Sequence, residues 1–285
     1  MIKKTSPTSE IMKKYFVTAL VLFLTTTAVF AQKKNAKNSK NPPPAKDSTA
    51  AVVNKPAPAP APAAAKPKKD WSKIDLTKKP ADHFMIELGY DNWAAVPDSI
   101  DIQGFNRSFN FYFMFNFPFK TDPRLSIGAG LGIGSSNIFF HQQEVLVAAI
   151  GNSTLAFPSQ GGGNHFKKYK LVTTYLEAPV ELRFAMDPEH YDQSWKFAVG
   201  VKVGLMLSAY TKAKDLQNPV GQTIGSYIEK ESSKQFFSSP KLAGTLRVNK
   251  GVIGVFGQFQ VNSLIKANAG PSVFPWSCGI VLSGL

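Results

Sequence analysis

The chain has 285 residues, a formal charge of +14 and a single cysteine, Cys278. One cysteine excludes an internal disulfide and a cysteine-based metal cluster. The charge is concentrated, with +3 on residues 1–31 and +9 on residues 32–81, which leaves +2 on the remaining 204; the folded part therefore lacks the basic face of a nucleic-acid binder, and no nucleic-acid partner is expected.

The N-terminus reads as an export signal. Lys13 and Lys14 precede an apolar run from Tyr15 to Leu24, and Ala28-Val29-Phe30-Ala31 closes it. A charged start, a short apolar stretch and small residues at −3 and −1 (Val29 and Ala31) predict a signal peptide over residues 1–31, cleaved after Ala31. The run is too short to span a membrane as a helix. A start at Met12 instead of Met1 would keep every part of the signal. No cysteine follows the cleavage site, so a lipoprotein anchor is not expected.

Residues 32–81 are rich in lysine, alanine, proline and asparagine, with Pro42-Pro43-Pro44 and an alternating Pro/Ala run at 56–62. Such a tract cannot bury enough apolar surface to offset its ordering entropy, so a disordered linker is predicted. Its span lies between ~40 Å as a coil and ~150 Å as stretched polyproline II. It reads either as a tether through the periplasm or as a passive spacer. Trp71 to Leu76 (W-S-K-I-D-L) forms its apolar patch, suited to a barrel rim or a partner.

The remainder, residues 82–285, is organised around Phe109 to Phe119, F-N-F-Y-F-M-F-N-F-P-F. In a strand every second side chain shares a face, so six phenylalanines form one stripe. Eleven residues at ~3.3 Å each match the apolar height of a transmembrane β-barrel when tilted. Similar alternation marks eight candidate strands, at about 83–93, 109–119, 124–140, 170–184, 195–213, 236–249, 251–265 and 273–284. In the third, Gly128, Gly130, Gly132 and Gly134 share a face, which clears room inside a narrow barrel.

Short connections at 120–123, 187–192 and 249–251 alternate with longer ones, the longest about thirty residues between Phe140 and Lys170. An even strand count with short turns at one end and long loops at the other predicts an all-β, eight-stranded antiparallel transmembrane barrel. Short turns face the periplasm, and the N-terminal tail would leave on that side. The polar face is thin in charge, rich in glycine and a poor coat for water, whereas the apolar face is too bulky for an eight-stranded interior. The apolar face therefore points outward to outer-membrane lipid. The interior then holds Glu87, Asp91, Glu177, Glu181, Arg183, Lys196, Lys202, Lys241 and Arg247. Charges of both signs in a small lumen should pair, which predicts a plugged polar core.

Tyr175-Leu176-Glu177-Ala178-Pro179-Val180-Glu181-Leu182-Arg183-Phe184 resembles the Y-L-E-x-P-hydrophobic stretch of PorT-like outer-membrane β-barrel proteins of the Bacteroidetes type. The glycine alternation from Gly128 to Gly134, Gly200-Val201-Lys202-Val203-Gly204 and Gly279-Ile280 fit the same pattern. The resemblance covers about residues 82–285; Leu285 departs from the aromatic last residue common in such barrels. It implies an eight-stranded barrel without established catalysis, and its founding member is associated with type IX protein secretion.

Chemistry is sparse. His83, His141, His165 and His190 lie at no metal-binding spacing, and no H-E-x-x-H occurs, so neither a metal nor another cofactor is expected. Gly161-Gly162-Gly163 has no following helix and reads as a flexible tip. Glu177 and Glu181, four residues apart in a strand, stand ~13 Å apart, beyond glycosidase spacing; Arg183, Lys202 and Arg247 are their expected partners. The reading is a non-enzymatic outer-membrane barrel in a structural, assembly or secretion-associated role. Its candidate partners, through the basic tail, are peptidoglycan or periplasmic secretion-system proteins. The alternatives are a narrow pore, a small-solute or ligand-binding barrel, and a lipid-modifying enzyme with His141 at the rim.

Overall fold

Period-two alternation becomes strand wherever the sequence carries it. The computed structural model describes residues 83–284, apart from 149, 150, 152 and 192. Ala31, the signal peptide, the 32–81 linker and Trp71 lie outside the described residues. The strands are β1 (Phe84–Ala94), β2 (Arg107–Pro118), β3 (Leu125–Phe140), β4 (His165–Ala185), β5 (Trp195–Gln217), β6 (Thr223–Ser232), β7 (Pro240–Lys250), β8 (Ile253–Gln260) and β9 (Phe274–Ser283). Every pairing is antiparallel. The order β4-β3-β2-β1-β9-β8-β7-β5 closes on itself through β4–β5, which makes an eight-stranded barrel. Among the described residues no helix is long and apolar enough to cross a membrane; any crossing falls to the strands, whose backbone groups all pair once the sheet closes.

β6 is an addition to the expected eight. It pairs with the far part of β5, from Tyr210 to Gln217, and stands outside the closed ring. Periodicity missed it for a physical reason. Thr223–Ser232 is exposed or half-exposed at every position, so no alternation of burial shapes its composition. The register between β5 and β6 also slips around Leu216. Asp215, in that irregular stretch, takes a φ of 56°, which aspartate tolerates better than most residues. β4 and β5 likewise run further than alternation indicated, to 21 and 23 residues.

The connections alternate as expected. Short turns join β2 to β3, β4 to β5 and β7 to β8, the last turning at Gly251 with φ 63°. At the β2–β3 turn Arg124 is held by Asp122 at 2.7 Å. Long connections join β1 to β2, β3 to β4, β5 to β7 (containing β6) and β8 to β9. The β3–β4 connection covers residues 141–164, shorter than expected because β4 begins at His165.

Exposure settles the direction of the faces. Phe109 and Phe117 are 50% and 58% exposed, whereas Tyr112 and Met114 between them are 0% and 1% exposed. Leu131, Val180, Val201, Leu205, Leu246 and Ile280 continue the outward apolar surface round the barrel. Two buried cores lie inside. A small one, Met85, Tyr112, Met114, Phe256 and Val281, sits in the barrel. A larger one gathers Phe140, Val145, Tyr169, Leu171, Phe237 and Ile265, with others, at the long-loop end.

A bulge separates the two regions. Thr174 pairs with Ser208 but Tyr175 pairs with Met206, so Leu207 is the extra residue. Below it the inward residues of β5 are even-numbered (Lys202, Gly204, Met206); above it they are odd-numbered (Ala209, Thr211, Ala213). A one-residue insertion reverses which face each side chain takes. The lining changes from ionic to apolar across this step.

Candidate functional site

The lumen concentrates the buried chemistry of the described chain. β3 makes room for it. A Cβ on Gly134 would lie 2.6 Å from Glu177 Oε1, one on Gly128 would strike the Arg183 guanidinium, and one on Gly132 would meet the Tyr112 ring and the Phe111 carbonyl. The glycine face is therefore the space that long charged side chains from neighbouring strands occupy.

Glu87, Asp91, Glu177, Glu181, Arg183, Lys202 and Arg247 all point inward and are buried. At the short-turn end Glu181 Oε2 accepts from Arg183 Nε at 3.0 Å and from Arg247 Nη2. Arg247 Nη1 also donates to Ser283 Oγ at 3.0 Å. At mid-barrel Lys202 Nζ donates to Glu87 Oε2 at 2.6 Å and to Gln258 Oε1 at 3.1 Å. Its ammonium lies 4.7 Å from the centre of the Tyr112 ring. Asn110 Nδ2 donates to the same Glu87 oxygen at 2.9 Å. Higher up, Glu177 accepts from Lys241 Nζ at 2.7 Å and from the Tyr112 hydroxyl at 2.6 Å. Asp91 lies nearest the long loops and has no ion pair among the described residues.

The partners differ in detail from those expected. Glu181 takes both arginines, but Glu177 takes Lys241, and Lys202 crosses to Glu87 on β1. Lys196 lies toward the turns, over the Tyr191 ring at 4.0 Å. Sequence reasoning did not single out Asn110, Tyr112, Gln258 or Ser283. The signal for the first two was present, since both occupy the positions between the outward phenylalanines. Register across strands was needed to show which carboxylate each would meet.

The long-loop end is sealed by apolar packing. Gln143 ties three segments together: its Nε2 donates to Ser99 O at 2.7 Å and Phe157 O at 3.0 Å, while its Oε1 accepts from Asp101 N at 2.9 Å. The Tyr169 hydroxyl donates to Val145 O at 3.0 Å and accepts from Val145 N at 3.1 Å. Loops from four connections thus close over the barrel mouth. Burial, with Glu229 and Glu231 nearby, raises the pKa of Glu144 in this region above the ordinary carboxylate value.

The remaining candidates are at the edges. His141 is exposed, with Nδ1 3.2 Å from Asp101 Oδ2. Asp187, Glu189 and His190 place ligand-type atoms within 4.8 Å of one another in the β4–β5 turn. Asp187 accepts from the Glu189 and His190 backbone and contacts the His190 ring at 3.1 Å. These contacts account for the cluster as an aspartate-capped turn. Gly161–163 lies in the β3–β4 connection, and Cys278 is exposed on the outer face of β9.

The family model for the outer membrane protein β-barrel domain matches residues 84–262. Among solved structures, the crystal structure of Ail, the attachment invasion locus protein of Yersinia pestis, in complex with the heparin analogue sucrose octasulfate, is similar at 12% identity and a TM-score of 0.32. That similarity covers 71% of this chain and 99% of that one. No curated protein matches the chain.

Proposed function

The chain belongs to the outer membrane protein β-barrel domain family, and from that premise we propose that it is a non-enzymatic outer-membrane anchor that works through its surfaces, not its lumen. The observation that carries this reading is the filled interior. Ion pairs bridge the lumen at three levels, and apolar loops cover one mouth. A solute path would need to break buried charge pairs, which is costly. The role therefore falls to the external loops and to the basic residues 32–81. His83 precedes β1 at the short-turn end, which in such barrels is the periplasmic end. We place the N-terminal segment in the periplasm on that ground, as a tether to peptidoglycan or to periplasmic secretion-system proteins. The Y-L-E-x-P stretch at 175–179 supports a PorT-like, secretion-associated assembly role.

Planar-bilayer recording of the full chain is expected to show little steady current. Deletion of residues 32–81 is expected to remove co-purifying periplasmic partners while leaving the barrel inserted. A steady ohmic conductance would sink the anchor reading in favour of a narrow pore.

A further inference from the structure

Beyond the anchoring role, the charges in the lumen are balanced in number but not in placement. Glu87, Asp91, Glu177 and Glu181 face Arg183, Lys202, Lys241 and Arg247, all buried. Glu181 takes both arginines, Lys202 goes to Glu87 and Lys241 to Glu177. Among the described residues this leaves Asp91 without a cation. Asp91 is 5% exposed, and its Oδ1 has no hydrogen-bond partner. Of the other buried polar atoms without a well-formed hydrogen bond, Ser108 Oγ and the Tyr175 hydroxyl lie here too, and the Ser108, Ser136 and Ser277 hydroxyls stand close enough to Asp91 to interact with its carboxyl. Asp91, Ser108 and Tyr175 line one cavity of about 30 Å³, with Ser136, Thr173 and Ser277 beside them. Ile138, Leu171 and Leu264 also line it and belong to the apolar cap above. Lys241 borders the cavity too, but its Nζ is committed to Glu177 at 2.7 Å.

Buried polar atoms without partners call for water or an ion. The volume admits either. Water would satisfy the hydroxyls but leave Asp91 either charged without a counter-ion or obliged to take up a proton, whereas a cation keeps it ionised and fully coordinated. A divalent ion would carry one more positive charge than the single carboxylate in the lining balances. We propose that this cavity binds a monovalent metal cation of the sodium or potassium type, with Asp91 as the charged ligand and the surrounding Ser, Thr and Tyr hydroxyls as neutral oxygen ligands. The ion restores charge balance at the upper level of the lumen. It also ties β1 to β2, β3, β4 and β9 directly beneath the cap.

The test is crystallographic. Crystals of the full chain grown with thallium(I) in place of sodium are expected to show an anomalous peak at Asp91 Oδ1, and Asp91→Asn crystals are expected to lose it. Water alone in the wild-type cavity, or a peak that survives in Asp91→Asn, overturns the proposal. A second measurement does not depend on the variant folding. The urea midpoint of the wild type in detergent should rise with the logarithm of sodium or potassium concentration at constant ionic strength, with N-methylglucamine as the replacement. Equal midpoints in all three salts overturn it as well.

Discussion

Lys202 is 0% exposed, held between Glu87 Oε2 at 2.6 Å and Gln258 Oε1 at 3.1 Å, with the Tyr112 ring face beside its ammonium. Removing one member of such a pair leaves a buried, uncompensated charge, whereas replacing both with apolar groups of similar volume is close to neutral. Lys202→Met is therefore expected to cost about 3–5 kcal/mol, read as a lower urea midpoint of the barrel in detergent. Glu87→Met combined with Lys202→Met should recover most of that loss. If the double variant is as weak as the single, the pair is not what holds the mid-barrel together. The nine lumen positions named from the sequence were legible because alternation assigns each residue to a face. Who pairs with whom was not legible, since Glu87 and Lys202 lie 115 residues apart and only strand register brings them level.

Among the elements, the long strands β4 and β5 serve two environments. Their lower parts line an ionic lumen, and their upper parts, past the Leu207 bulge, line the apolar cap. Where β6 joins β5, Glu144, Glu229 and Glu231 surround a small cavity with Tyr169 and Thr211. Glu144 is held above its ordinary pKa of 4.5, first by burial and then by the neighbouring carboxylates. Its folded form thus binds a proton more readily than its unfolded form. The stability it contributes is present on the acid side and is lost as pH rises above about 4.5 through the raised value. The β5–β6 hairpin should be clipped by protease more slowly near pH 5 than at pH 8, and Glu144→Gln should flatten that difference. An unchanged pH response in the variant would remove Glu144 as the cause. β6 escaped sequence reading because a strand exposed on both faces carries no period-two burial signal.

For the molecule as a whole, the outward belt and the external hairpin respond differently to the same change. Phe113 lies in the middle of the phenylalanine stripe, opposite Leu131, and Val220 lies beyond the barrel at 83% exposure. A lysine on the lipid face near the bilayer midplane costs about 2–4 kcal/mol. Phe113→Lys should lower the unfolding midpoint in lipid vesicles accordingly, while Val220→Lys should leave it unchanged; equal responses would mean that hydrocarbon does not cover Phe113. Period-two alternation, short and long connections in turn, and a glycine-lined face were enough to specify a closed antiparallel barrel with its apolar side outward, because each is a local pattern imposed by the strand's own geometry. The partners inside the lumen, the ninth strand, the bulge that exchanges an ionic lining for an apolar one, and the unpaired carboxylate of Asp91 became visible only in three dimensions. Each of these depends on which distant strands lie side by side, and that follows from closure of the sheet, not from any stretch of chain.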